Sequence, residues 1–416
     1  MTRRVAYPVV AAVCALPRLG VLLHERDAIA SGAEKSATFA QVFVENGTFG
    51  FLPGQPSAYT QPLYGWFLIP VEWAFGRDGW LAIGLAQIVV AVAVALLVYE
   101  IGVRFLAPRW AVLAAAIATL QPYLVWHDVH INREIIDQLC AAALVLLTLL
   151  VVERPTRGRA ALLGVVTGLA LLGNTRLVAI PIVIAVFVLA VRRTRAAAVA
   201  AVLVLAGAAV AVAPWVVRNK VNVGCWAITT DGRAFWKANN SQTYELLSSG
   251  KWIDDVARTS PRPPEPAHLT PEEARGIYDR TQGRKVLHPD ECAEMDFYTR
   301  LAERYIRHHP GAKLKLAALS EQLLWQPNVI ETGSSSGGVG KQIVEPAWIW
   351  ALYALAAVGL FVVPRLFLAL ALVLFAYQSF WAALFVGATR YRIAFDFLLA
   401  LLAAAAVARL WERRRA

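Results

Sequence analysis

The side chains best able to do chemistry gather in one polar, turn-rich stretch, Glu34 to Gly65, between two long apolar runs. About thirty residues exceed what a simple connection needs. Glu34 offers a carboxylate that can take a proton from an attacking hydroxyl. Tyr59, Gln61 and Tyr64 offer the hydroxyl, amide and aromatic surface that suits a sugar ring; equally, Pro62-Leu63-Tyr64 can simply set the turn into a membrane-embedded helix from Phe67 to Phe75. Asp27 and Glu25 are the other carboxylates close enough in sequence to compete with Glu34, which as a bland alternative is a solvated charge at a helix start.

A second set of groups could hold an anion. Arg176, Arg218, Arg390 and Arg392 fall at ends of apolar runs, away from the other arginine clusters. A guanidinium keeps its proton and presents a planar fork to two phosphate oxygens, although snorkelling to lipid headgroups also places arginine at such ends. His127, Asp128 and His130 are close in sequence, but their spacing is poor for one helical face. They read as a polar turn lining the cavity, and a divalent metal is not indicated. Arg133 and Glu134 open the following apolar run, paired with each other or with the site. Trp236, Lys237, Asn239 and Asn240 are candidate acceptor contacts further along.

The elements that must position these groups are membrane helices. With 58% hydrophobic residues and repeated runs of about 17 or more apolar residues, no soluble class fits. A net charge of +11 would suit nucleic acid in a soluble domain, but here the arginines cluster at run ends, which topology explains. The first run, from about Val5 to Leu23, follows Arg3 and Arg4. Ala28-Ile29-Ala30 resembles a signal cleavage site, but charged residues intervene and further runs follow, so the segment reads as a first span. Later runs cover about 80–105, 111–126, 135–152, 160–172, 177–191 and 196–217.

The positive-inside rule is satisfied with about ten spans. It puts both termini in the cytoplasm and the chemistry of 24–79, 127–134, 174–176, 218–344 and 387–392 outside. The expected organisation is an N-terminal transmembrane module, 1–217, of about seven spans, an extracytoplasmic lobe, 218–344, and a C-terminal module, 345–416, of about three. Mid-span regions read as nearly free of ionisable groups.

The lobe is too poor in apolar residues to fold alone. Thr270-Pro271-Glu272-Glu273 reads as a capped helix start. A second helix runs from about Glu291 to His308 and ends before Pro310; its Phe297, Leu301 and Tyr305 stripe suits the headgroup region or packing on the lobe. Gly333 to Lys341 departs from the phosphate-loop pattern at Ser335 and Gln342 and reads as a flexible connection. Cys14 and Cys140 act as small hydrophobes, whereas Cys225 and Cys292 are free to pair in the lobe.

The order of short motifs resembles the C-type membrane glycosyltransferases (GT-C), in particular the bacterial branch related to protein O-mannosyltransferases and aminoarabinose transferases. The resemblance runs through Ala58 to Tyr64, Leu96 to Gly102, Asn132 to Glu134, Asn174 to Arg176, Pro214 to Asn219, His309-Pro310 and Arg390 to Arg392. It covers nearly the whole chain. It implies sugar transfer from a polyprenyl phosphate to an acceptor hydroxyl on the external face, with inversion and a first-loop carboxylate as base. No nucleotide site is then needed. Where the family pattern often carries an acidic residue near position 37, this chain has Ala37, which leaves the choice among Glu34, Asp27 and Glu25 open. The rival classes are a lipid-linked-sugar transporter or flippase, which would often show repeated halves, and a non-catalytic lipid-binding scaffold.

Overall fold

Prolines and polar caps decide where the helices of this chain begin. The computed structural model describes residues 2–30, 34–76, 79–254, 256, 290–327 and 343–414. The expected helix start at Thr270 and the glycine-rich Gly333–Lys341 segment lie outside them.

The N-terminal part contains α1 (Arg3–His24), α2 (Arg26–Ala30), α3 (Lys35–Asn46), α4 (Pro62–Phe75), α5 (Trp80–Gly102), α6 (Pro108–Thr119), α7 (Pro122–His127), α8 (Glu134–Glu153), α9 (Arg157–Gly173), α10 (Ile180–Arg192) and α11 (Arg195–Asn222). The middle contributes α12 (Gly232–Lys237), α13 (Thr243–Ser248), α14 (Glu291–His308) and α15 (Pro310–Trp325). Then follow α16 (Glu345–Gly359), α17 (Arg365–Leu384), α18 (Thr389–Arg392) and α19 (Asp396–Arg413).

The Glu34 carboxylate caps α3 through the Ser36 amide, and Gly47 closes it at φ 70°, a conformation that favours glycine. Pro62, Pro108, Pro122 and Pro310 each open a helix, where the missing N–H is not needed. Pro310 therefore starts α15 as well as ending the run of α14. The apolar run 111–126, read as one span, is broken into α6 and α7 for the same reason. Gln121 before Pro122 leaves the helical region, with ψ 123°.

Among the described residues seven helical stretches are long and apolar enough to cross a membrane: Arg3–His24, Trp80–Gly102, Glu134–Glu153, Thr175–Arg192, Arg195–Asn222, Arg365–Leu384 and Thr389–Arg413. α6, α9 and α16, with 12, 17 and 15 residues, are shorter. The last stretch is 83% buried against 28% for the first, so α19 is the central post of the bundle. α9 and α11 cross closely over small residues. A Cβ at Gly164 would lie 2.4 Å from the Val204 carbonyl, and one at Gly168 2.7 Å from that of Ala208, so only glycine admits the approach.

Arginine clusters gather at one end of the bundle. Arg3 pairs with Glu100 at 2.8 Å, Arg104 pairs with Glu153, and Arg192 donates to the Glu153 carbonyl at 2.8 Å. At the other end sit the first polar loop, the α7–α8 turn and the small lobe. Trp236, Val256, Tyr298 and Ala302 form the lobe's own core, and Phe297 and Leu301 pack against it. The apolar stripe of α14 thus serves the lobe. Ala238, Leu247, Trp252 and Ile253 join Leu316, Leu323, Val386 and Ala388, fastening the lobe to the C-terminal helices. A Cys225–Cys292 disulfide ties the chain after α11 to the start of α14.

The spans, nearly free of ionisable groups, hold a buried ion pair. Arg18, in the interior of α1, is 1% exposed and pairs with the equally buried Asp128 at 2.7 Å. A buried guanidinium is tolerable because every side is answered: Nε and Nη2 reach Asp128 Oδ2, Nη1 reaches the Cys14 carbonyl, and Gln138 donates to Asp128 Oδ1 at 2.9 Å.

Candidate active site

The first polar loop is held in a fixed shape. Glu291, at the start of α14, accepts from Ser57 Oγ at 2.5 Å, the Ala58 amide at 3.0 Å and Thr230 Oγ1 at 2.8 Å. Arg218 grips the same loop from α11, donating to the Ser57 and Phe49 carbonyls at 2.8 Å each. Phe39, Phe49, Phe51 and Trp215 pack edge to face beneath it. The loop is therefore a rigid platform from which Gln61 and α3 project.

A cluster of charges converges beside this platform. Arg133 donates to Gln61 Oε1 at 2.5 Å, and Gln61 Nε2 in turn reaches Thr175 Oγ1 at 3.2 Å. The Arg176 guanidinium lies 3.4 Å from the Tyr391 ring centre and donates to the Val386 carbonyl at 2.8 Å. Arg390 Nη2 donates to the Tyr391 hydroxyl at 2.9 Å, and its guanidinium rests 5.1 Å from the Trp252 ring. Arg133, Arg176 and Arg390 are all within electrostatic reach of the Tyr391 hydroxyl. Glu134 is within reach of Arg133 and Arg390, and Glu34 is within reach of Arg133 and Glu134.

Three buried atoms in this cluster have no hydrogen-bond partner among the described residues: Arg390 Nε, Glu134 Oε2 and Asp137 Oδ1. Asp137 sits one turn along α8 from Glu134, on the same face, with its other oxygen accepting from Asn174 at 3.1 Å. Unanswered buried donors and acceptors are costly, about 1–3 kcal/mol each, and a donor and an acceptor together fit a polar ligand.

The Glu34 carboxyl is pushed above its usual range by burial, opposed by the Arg133 charge and the Ser36 hydrogen bonds and reinforced by Glu134. A carboxylate withdrawn from water but still ionisable is a stronger proton acceptor.

The other predicted residues divide. Asp27 is 95% exposed and among the described residues meets only Arg26, at 3.6 Å, and Glu25 accepts from Trp126 Nε1 at 2.8 Å and faces His130 Nε2 at 3.4 Å. Of the four arginines proposed for phosphate, Arg176 and Arg390 enter the cluster. Arg218 is committed to the loop. Arg392 is fully buried and committed to Asp396 at 2.8 Å, the Leu324 carbonyl at 2.9 Å and the Tyr353 hydroxyl.

Gln61 and Glu134 belong to the cluster, but the remaining sugar or acceptor candidates have other partners. Burial and the carboxylates of Asp231 and Glu294 push the Tyr59 hydroxyl well up, and Asp231 accepts its hydrogen bond. Tyr64 donates to Gln87 at 2.5 Å, whose amide holds the Asp128 and His130 carbonyls at 2.7 and 2.8 Å. Asp128 serves Arg18. His127 meets the Asn132 amide, and His130 meets the Trp126 carbonyl at 2.8 Å. Trp236 lies in the lobe core, and Asn239 links the lobe to Lys313 and the Leu384 carbonyl. Among the described residues no group of three or more His, Cys, Asp or Glu side chains is arranged to hold a metal ion.

In the sequence Arg133 has only a partner's role, Tyr391 and Asn174 stand inside motifs without a role of their own, and Asp137 is unmarked. Topology asks for no arginine at the end that holds Arg176, and the same is true of Arg133. Tyr391 stands between two arginines already noted, and Asp137 is three residues from Glu134.

Residues 56–217 match the sequence family described as dolichyl-phosphate-mannose-protein mannosyltransferase. No curated protein matches the chain in sequence. Among solved structures, the oligosaccharyltransferase of Archaeoglobus fulgidus tethered with an acceptor peptide matches with TM-score 0.55 and 14% identity, over 98% of this chain and 50% of its own. The same protein, AglB, in complex with an inhibitory peptide and a dolichol-phosphate, matches with TM-score 0.53 and 13% identity, over 98% and 50%. ArnT of Cupriavidus metallidurans bound to undecaprenyl phosphate gives TM-score 0.44 and 15% identity, over 94% and 76%, too loose a likeness to argue from. The chain spans about half the length of the archaeal protein, and at such identities the likeness is one of fold. The family match and the fold agree with the resemblance read from the motifs: the chain is a polytopic helical membrane protein of the C-type glycosyltransferase fold.

Proposed function

We propose that this chain is a membrane glycosyltransferase that moves a sugar from a polyprenyl phosphate to an acceptor hydroxyl on the extracytoplasmic face, with inversion. The observation that carries this reading is the gathering of Arg133, Arg176 and Arg390 around the Tyr391 hydroxyl, with Glu134 in reach of Arg133 and Arg390, Glu34 in reach of Arg133, and Arg390 Nε and Glu134 Oε2 unanswered among the described residues. In the reaction the acceptor oxygen bonds to the anomeric carbon as the carbon–oxygen bond to phosphate breaks. The phosphate leaves with the electron pair, and the acceptor proton passes to Glu34. Arg390 and Arg176 hold the departing phosphate, a task suited to fixed donors in a site shielded from water.

Gln61 and Glu134 face the sugar or acceptor, and Arg133 balances the two glutamates. Both termini lie in the cytoplasm, as the arginines at the opposite end favour. Complexes of the archaeal relative with dolichol-phosphate lend the donor class support. The acceptor is a glycan, lipid or protein hydroxyl.

The test is turnover in liposomes supplied with a panel of polyprenyl-phosphate sugars and a membrane extract as acceptor. Release of polyprenyl phosphate with a matching gain of sugar on the acceptor is expected. Movement of an uncleaved lipid-linked sugar across the bilayer would replace the proposal with a transporter. Binding with neither cleavage nor movement would replace it with a scaffold.

A further inference from the structure

One cavity among the described residues is remote from the charge cluster. It has a volume of about 730 Å³ and lies at the arginine-rich end, between the α5–α6 turn, the α16–α17 turn and the last turns of α19. That volume falls inside the range of about 300–1,000 Å³ typical of small-molecule sites. Its walls are mostly apolar, from Phe105 and Trp110 on one side to Phe361 and Val363 on the other. Its rim carries Arg409 and Arg413 against the single carboxylate of Glu412. Arg109 adds a further positive charge, with its guanidinium 5.0 Å from the Trp110 ring.

One detail separates this cavity from ordinary lipid-facing surface. Phe361 is 91% exposed at the mouth, where a chain lying in the cavity would cover it.

We propose that this cavity holds one anionic phospholipid, its phosphate on Arg409 and Arg413 and one acyl chain along the apolar walls. A zwitterionic lipid fits the walls equally but brings a cation to a rim that is already positive. Selectivity for the negative headgroup is therefore the signature of the site. Basic pockets between membrane helices recognise headgroups in this way, each arginine near the surface being worth about 1 kcal/mol. Two such residues correspond to a preference of roughly tenfold or more.

Native mass spectrometry of the purified full chain in detergent tests this, with equal amounts of phosphatidylglycerol and phosphatidylcholine of the same acyl chains. The wild type is expected to retain phosphatidylglycerol roughly tenfold over phosphatidylcholine. Arg409→Ala with Arg413→Ala should bring the two lipids level, while Arg157→Ala, an exposed arginine outside the cavity, should leave the preference unchanged. Val358→Trp, at a half-exposed lining position, fills space without altering charge and should lower retention of both lipids. Equal retention by the wild type overturns the proposal. Loss of preference in Arg157→Ala to the same degree as in the double variant also overturns it, because the effect would then be general charge.

Discussion

Arg390 and Arg392 stand two residues apart, yet replacing each by leucine should fail in opposite ways. Arg392 is enclosed and fully engaged with Asp396, two backbone carbonyls and the Tyr353 hydroxyl. Its removal leaves the Asp396 carboxylate buried without its cation, a loss of about 3–5 kcal/mol in stability. Among the described residues Arg390 makes one hydrogen bond, to Tyr391, and leaves Nε unanswered. Its removal should cost about 1 kcal/mol of stability. If it holds the donor phosphate, a charge-assisted contact of about 1.5–3 kcal/mol disappears from the transition state. At 1.36 kcal/mol per decade, kcat/KM then falls roughly ten- to a hundredfold. Arg390→Lys keeps the charge but not the fork and should fall between. The assay pairs kcat/KM for sugar transfer, normalised to folded protein, with thermal unfolding followed by tryptophan fluorescence. Wild-type kcat/KM in Arg390→Leu, or wild-type stability in Arg392→Leu, would refute the division.

Other consequences are as direct. Because burial raises the Glu34 carboxyl above its ordinary value of 4.5, the acid limb of kcat/KM should lie above pH 4.5. Arg133 opposes that rise, so Arg133→Gln should move the limb to higher pH; a shift to lower pH in a pH–rate profile counts against Glu34 as base. The same raised carboxyl binds more protons in the folded state, so its contribution to stability falls as pH rises from the unfolded value through the folded one. Asp128→Leu should destabilise by about 3–5 kcal/mol by stranding Arg18, and adding Arg18→Met should restore most of it. A double variant as unstable as the single, in denaturant unfolding, would show that the pair does not account for the loss. Reducing the Cys225–Cys292 bridge, whose partners are 67 residues apart, should lower lobe stability by up to about 4 kcal/mol, read from proteolysis rates with and without reductant.

The helical membrane class and much of the helix order were legible because apolar runs and prolines act locally. The α14 limits, Glu291–His308, were readable from its capping residue and from Pro310. The break at Pro122 was equally local, but a 16-residue apolar run masked it. What sequence could not show is commitment. Arg218, Arg390 and Arg392 are alike as letters, and only packing shows Arg218 and Arg392 committed to neighbouring acceptors and Arg390 left with an unanswered Nε. Asp128 likewise looks like a site residue until Arg18 is found across the bundle, 110 residues away. Neither partner carries a local signal of the other. Glu34 was legible through its place before α3, whereas Asp137 needed the helix face that begins at Glu134.

The proposed base, Glu34, is tested by its amide variant. Single-turnover sugar transfer from a polyprenyl-phosphate donor, in wild type and Glu34→Gln, measures the chemical step apart from donor binding. A positioned base contributes about 10²–10⁴-fold, so the variant should bind donor as before and transfer slower by that factor. Transfer by Glu34→Gln at the wild-type rate would contradict the claim and move the base to another carboxylate.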